Sequence, residues 1–353
     1  MCLRSQVYCE YTDLYGYVFV MKRTDTVAAV ALVVLWSSGF IGAELGTAQA
    51  PAHTLLAWRY LAASMILIAW CWYRGLRPTI AGIKRQAVLG FFCQFLYLGL
   101  LITGVGLGVS PGTAALIAAM QPLVVAALAS RFLGEKFDAG KRVALAVGFA
   151  GVVIVVSGDM GGGSASWAAY LLPLAGMVAL SSGTVLERKL RTTEPIALAL
   201  CIQSVVSAIL FTGWSLIAGD VRPPMTTAFW TAVAWVIGLS TFGAYGTYMF
   251  VLRRSGATRV SALLYLTPAT TMVWALLKFG EPVTWLAVLG LAVTLAAVCE
   301  WKYISRYVFS LTGRGARRPS DPAARTSRSS AETPGSPSRA HAGSYPSVSN
   351  GDD

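Results

Sequence analysis

An all-α membrane protein of ten transmembrane helices, built as two inverted five-helix repeats, is the fold class that this sequence predicts. Three observations carry the prediction. The chain of 353 residues is 56% hydrophobic and only 12% charged, against about 25% charged residues in ordinary soluble domains. Its apolar runs approach the roughly 20 residues needed to cross about 30 Å of hydrocarbon. One stretch is also used twice. Pro122, Gly134 and Glu135 recur as Pro268, Gly280 and Glu281, each 146 residues on, while Ser37-Ser38-Gly39 recurs as Ser181-Ser182-Gly183 and Trp70 as Trp214, each 144 residues on. Matches in one order at a nearly fixed offset point to internal duplication. A β-barrel would alternate polar and apolar residues in runs of about ten, a pattern this chain lacks.

Residues 1–25 are read as an N-terminal cytoplasmic extension. They are polar and aromatic, without the apolar core and cleavage site of a signal peptide, and Met21 is expected to be the natural start. The first repeat, 26–158, holds spans at about 26–46, 53–73, 86–104, 110–130 and 141–158. A polar, glycine-rich linker, 159–165, follows. The second repeat, 166–300, holds spans at about 166–187, 195–218, 227–251, 257–279 and 282–300, the last two joined by a tight hairpin. From 301 to 353, Ser, Pro, Arg, Ala and Gly dominate, and this cytoplasmic tail is expected to be disordered.

The loops set the orientation. Arg74, Arg77, Lys84 and Arg85 follow the second span; Arg131, Lys136, Lys141 and Arg142 the fourth; Arg188, Lys189 and Arg191 the sixth; Arg253, Arg254 and Arg259 the eighth. The other five connections hold only Arg222 and Lys278, so fourteen basic residues face two. Such alternation puts the basic loops and both termini in the cytoplasm. The net charge of +12 is thereby explained by topology, and no nucleic-acid partner is expected. An odd number of spans per repeat inverts the second copy, placing Glu135 inside and Glu281 outside, a construction found in many secondary transporters.

Several chemistries are disfavoured. Six scattered cysteines form no CxxC pair, and His53, read as lying in a short loop, and His341 are the two histidines. Neither a metal site, a redox site nor a histidine-based triad is expected, and no cofactor. No phosphate-binding loop occurs. An intramembrane enzyme acting on lipid-linked substrates would need clustered acids, histidines or a metal. A channel would need a filter loop or charged rings, and a non-transporting scaffold is a further alternative.

The pattern Trp36-Ser-Ser-Gly-Phe-Ile-Gly-Ala-Glu44, then Trp58-Arg59-Tyr60-Leu61, Ala115 to Pro122 and Leu133-Gly134-Glu135-Lys136, repeated in part as Ser261 to Pro268 and Gly280-Glu281-Pro282, resembles the EamA-like branch of the drug/metabolite transporter superfamily. The resemblance covers about residues 26–300. It implies a ten-helix secondary transporter in the cell membrane, exporting metabolites or drugs by alternating access. The family often carries a basic residue where this chain has Glu44.

Candidate site residues follow from charge and proline in apolar spans. Pro122 and Pro268 fall near the middle of the fourth and ninth spans, where proline frees a carbonyl one turn earlier. Either these broken helices line a mid-membrane cavity, with Gln121, Tyr265 and Thr267 offering hydrogen bonds, or the prolines merely kink them for packing. Arg59 is the only basic residue well inside a span, at a cost of about 3 kcal/mol. Glu44 is read at similar depth. The two either pair or both meet a polar substrate; alternatively Arg59 snorkels and Glu44 is solvated. Glu44 is also the candidate for proton coupling, whereas Glu135 and Glu281 are read as helix-end residues. Trp36, Trp58, Tyr97, Tyr245, Tyr248, Tyr265 and Trp274 are candidate pocket walls, with Ser38 beside Trp36. Ala144, Gly148 and Gly151 form a small-residue face suited either to packing or to a homodimer.

Overall fold

The computed structural model describes residues 23–135, 139–162, 165–255, 260, 263–281 and 283–296. These residues are helical, with turns between, and no strand occurs among them. In chain order the helices are α1 (Arg23–Thr47), α2 (Ala52–Tyr73), α3 (Ile80–Gly106), α4 (Pro111–Leu133), α5 (Ala139–Gly162), α6 (Trp167–Leu190), α7 (Ile196–Ala218), α8 (Thr227–Ser255), α9 (Thr267–Phe279) and α10 (Trp285–Ala296). The first eight are long and apolar enough to cross a membrane, while α9 and α10 are shorter among the described residues. The predicted N-terminal extension up to residue 22 and the tail lie outside the described residues.

Two boundaries depart from the expected ones. Helix α3 starts at Ile80, not 86, because Thr79 caps it by accepting from the Gly82 N–H at 3.1 Å. Its first turns are amphipathic, so Lys84 and Arg85 belong to the helix rather than to a loop. Helix α5 runs to Gly162, so the predicted linker begins as helix. Asp159 there accepts from the Ser110 N–H at 3.3 Å and the Tyr170 hydroxyl at 3.0 Å, tying α5 to the starts of α4 and α6. His53 is not in a loop but in the first turn of α2, stacked on Trp214 at 5.2 Å.

The halves match in local geometry. Helix α4 breaks at Met120 (φ −72°, ψ −12°), and the chain enters α9 at Leu266 (φ −79°, ψ −11°), each two residues before a proline. Both following segments end in a left-handed glycine, Gly134 (φ 70°, ψ 18°) and Gly280 (φ 72°, ψ 17°). Helices α2 and α7 both start after a proline, Pro51 and Pro195, a further repeat at the 144-residue offset. Both α3 and α8 contain a π-helical segment, Phe91–Leu96 and Val236–Gly243.

Packing between the halves matches as well. Gly39 of α1 faces the π segment of α8, where an added Cβ would lie 2.6 Å from Ser240 Oγ. Gly183 of α6 faces the π segment of α3, where a Cβ would collide with Cys93 Sγ. Ser37 and Ser181 are fully buried and donate to the carbonyls of Val33 and Met177, each at 2.8 Å. Helix α2 packs along α7. The small face of α5 is used inside the chain. A Cβ at Gly148 would press on Met120 of α4, and one at Gly151 would lie 2.9 Å from the Gly290 carbonyl of α10.

Ion pairs sort the helix ends. At the basic end, Asp25 pairs with Arg254, Arg85 with Glu194 at 2.5 Å and Glu135 with Arg188 at 3.5 Å. At the opposite end His53 lies 3.6 Å from Asp220, and Glu281 lies within electrostatic range of Glu44 and Asp159.

Candidate functional site

Arg59 sits two turns into α2 and is 7% exposed. One guanidinium N–H donates to Thr241 Oγ1 at 3.1 Å, and the group lies 5.4 Å from the centre of the Tyr60 ring. Its Nε–H is buried and finds no hydrogen-bond partner among the described residues. Tyr60, stacked on Phe211 at 5.7 Å, forms an apolar floor. Tyr97 of α3 and Tyr245 of α8 lie within electrostatic range of the guanidinium.

Thr241 is available because α8 is π-helical there. Its hydroxyl donates to the Val236 carbonyl, five residues back, at 2.9 Å. A π-bulge widens the turn and re-aims side chains, which is why such segments recur at functional sites. Trp36 of α1 packs against Tyr245 at 5.9 Å and Tyr248 at 5.7 Å. Tyr245 is 36% exposed although α1, α2 and α3 all bring residues to it. A separate groove of about 460 Å³, lined by Gly246, Met249, Phe250 and Arg254, lies farther along α8 and does not include Arg59.

The proposed Arg59–Glu44 pair does not form. No carboxylate lies within ion-pair distance of Arg59 among the described residues. Glu44, half-buried three residues from the end of α1, is instead in electrostatic range of Glu281. Glu281, just after α9, is pushed up to about 7, first by burial and then by the charges of Glu44 and Asp159.

The remaining candidates form a seam between the broken helices. Tyr265 packs in one cluster with Ile117, Met120 and Leu123 of α4. Gln121 donates to Thr184 Oγ1 of α6 at 3.3 Å. The Thr267 carbonyl accepts from Ser37 at 3.3 Å and from Thr271 at 2.8 Å, so Ser37 joins α1 to α9. The Ser38 hydroxyl donates to Leu35 O at 2.6 Å, and its carbonyl accepts from Trp235 Nε1 at 3.0 Å. Pro268 is buried and Pro122 half-buried, each at the second position of its helical segment. Trp58 and Trp274 belong to other contacts, with Trp230 and Trp235.

Sequence reasoning missed a polar ladder between α3 and α7. Gln94 donates to Gln203 at 2.9 Å, Gln203 to Gln86 at 2.7 Å, and Gln86 to Glu194 at 3.0 Å. The mid-span glutamines were its signal. The hydrogen bond from Arg85, then that from Gln86, holds the Glu194 carboxyl down at about 2.

Eight apolar helices long enough to cross a membrane, with Arg59 the one buried basic side chain among the described residues, define a class: multi-pass membrane proteins. The EamA-like transporter family matches twice, over residues 26–157 and 167–299. The chain belongs to the EamA-like transporter family and is a membrane transporter of small solutes. It is 26% identical over 275 residues to the uncharacterized inner membrane transporter YedA of Escherichia coli K12, covering 77% of this chain and 88% of that one. It is 25% identical over 317 residues to a probable amino-acid metabolite efflux pump of the same organism, covering 84% and 98%. A crystal structure at 19% identity and TM-score 0.58, covering 82% of this chain and 99% of the other, shares the fold.

Proposed function

We propose that this protein is a secondary active exporter of small organic solutes, not an enzyme. Ten spans form two five-helix repeats inserted in opposite senses, with both termini in the cytoplasm, and they work by alternating access. The observation that carries this reading is the exchange of contacts between halves. The first helix of each half packs its glycine, Gly39 or Gly183, on the π segment of the other. It also meets the other half's broken helix, through Ser37–Thr267 or Thr184–Gln121. Two units related this way can rock about a shared central site.

Inversion is further supported by the ion pairs. Glu135 meets Arg188 at the basic end, whereas Glu281 faces Glu44 and Asp159 at the opposite end. The substrate site lies between Arg59, Tyr97, Tyr245 and Trp36, next to the Gln121 and Thr267 seam. Proton coupling is assigned to Glu44 with Glu281, a pair of like charges that proton uptake would relieve. The export direction follows the efflux pump among the relatives.

The test has two arms. Cysteines introduced at Glu135 and Glu281 should react with an impermeant reagent from opposite sides of the membrane; labelling from one side sinks the inverted repeat. Proteoliposomes should show solute flux across a metabolite panel, stimulated by a proton gradient. Flux equal to that of empty vesicles would sink the transporter reading.

A further inference from the structure

The charge at the centre of the site is unbalanced. A guanidinium carries five N–H donors and cannot shed its proton in a protein. In Arg59 one N–H meets the neutral hydroxyl of Thr241, and Nε–H meets nothing among the described residues. A buried cation normally recruits a carboxylate, because an unpaired one forfeits its hydration without return. None of the nearby carboxylates among the described residues reaches it, and Glu187, in electrostatic range of Tyr245, sits exposed three residues from the end of α6. Glu44 faces Glu281 at the opposite end, Asp159 accepts from Ser110 and Tyr170, and Glu194 is held by Arg85 and Gln86.

What surrounds Arg59 is aromatic. Tyr60 lies under it, Tyr97 and Tyr245 are in range, and Trp36 closes on Tyr245. An aromatic wall takes an apolar or planar body, and a guanidinium fork takes a two-oxygen anion. We propose that Arg59 is the anion-recognition residue of the transport site, and that the substrate is a small monocarboxylate with an aromatic or apolar body. This rests on the transporter reading above. One arginine without lysine or a second arginine beside it among the described residues matches a single negative charge, so a carboxylate fits better than a doubly charged phosphate. Thr241 is the positioning residue, since it fixes the guanidinium edge and leaves Nε–H free for the ligand.

The test is binding to the purified full-length protein in detergent, without transport. The probes are 3-phenylpropionate and indole-3-propionate, each against its neutral amide, with inorganic phosphate as competitor. Titration calorimetry should show each carboxylate binding about tenfold or more tighter than its amide, the effect of one charge-assisted hydrogen-bonded pair. Arg59→Gln should erase that difference and Arg59→Lys should restore part of it. Thr241→Ala, which keeps the charge, should narrow it several-fold, and Thr241→Ser should restore it. Equal affinity for acid and amide, undetectable binding of both at millimolar concentration, a preference untouched by Arg59→Gln, or tighter binding of phosphate would each overturn the proposal. Flux of neutral solutes without acid preference sinks this inference alone. Acid preference without flux of any solute sinks the transporter reading alone.

Discussion

The Arg59 guanidinium donates to the Thr241 hydroxyl at 3.1 Å across 182 residues of sequence. Thr241 can accept because its own proton is committed to the Val236 carbonyl inside the π segment of α8. The hydrogen bond therefore joins the two halves of the chain at a buried charge, and α8 cannot turn there without moving the cation.

Removing that acceptor should act on the solute more than on the fold. Thr241→Val is expected to raise KM for transport about tenfold, in line with the roughly 1.5–3 kcal/mol of a hydrogen bond to a charged group. Thr241→Ser should stay near wild type. A valine variant with unchanged KM and kcat would remove Thr241 from the site.

Glu281 should make stability pH-dependent. Its folded value of about 7 lies above the ordinary 4.5, so its contribution to this arrangement is complete below about 4.5 and is lost as pH rises through about 7. Thermal unfolding of the purified protein between pH 4.5 and 8 should show that decline, and Glu281→Gln should flatten it. An identical slope in the variant would assign the titration to another group.

Glu194 has the opposite sign. Held near 2 by Arg85 and Gln86, it stabilises the fold above about 4.5 and loses that contribution as pH falls toward 2. Glu194→Gln should lower the unfolding midpoint at neutral pH and remove the acid-side loss. Glu135→Gln is the control, because its pair with Arg188 is half-exposed on both sides, and such pairs contribute about 0–1 kcal/mol.

The two left-handed caps should behave alike. Gly134→Ala and Gly280→Ala place a Cβ where L-residues are strained, at about 1–2 kcal/mol each. No atom of the described residues crowds either position, so the loss is conformational. Unequal losses, measured by chemical unfolding, would mean that one cap carries a contact the other lacks.

Close helix approach is tested at α5. Gly151→Ala would drive a methyl against Thr294 and the Gly290 carbonyl, and overpacking of this kind typically costs about 1–3 kcal/mol. Gly213→Ala in α7 meets nothing and should be neutral or stabilising. Thermal stability in detergent compares the two; equal midpoints would place α10 farther from α5.

Membrane class and duplication could be read from the chain alone, because these rest on local quantities. Run length, charge per loop and repeated Pro and Gly-Glu positions can be read one residue at a time. The breaks before Pro122 and Pro268 and the glycine stops at Gly134 and Gly280 were legible for the same reason, since a proline or a left-handed glycine acts on its own backbone. What meets Arg59 could not be read that way. Glu44 is the nearer acid in sequence and was expected either to pair with it or to meet the same substrate, but helical packing carries Glu44 toward Glu281 and brings Thr241 across from the other half. A π segment has no clear sequence signal, as its extra residue per turn is stabilised by what packs against it: Gly39 on one, Gly183 on the other. Charge and backbone constraint are properties of a residue; partnership is a property of the packed bundle.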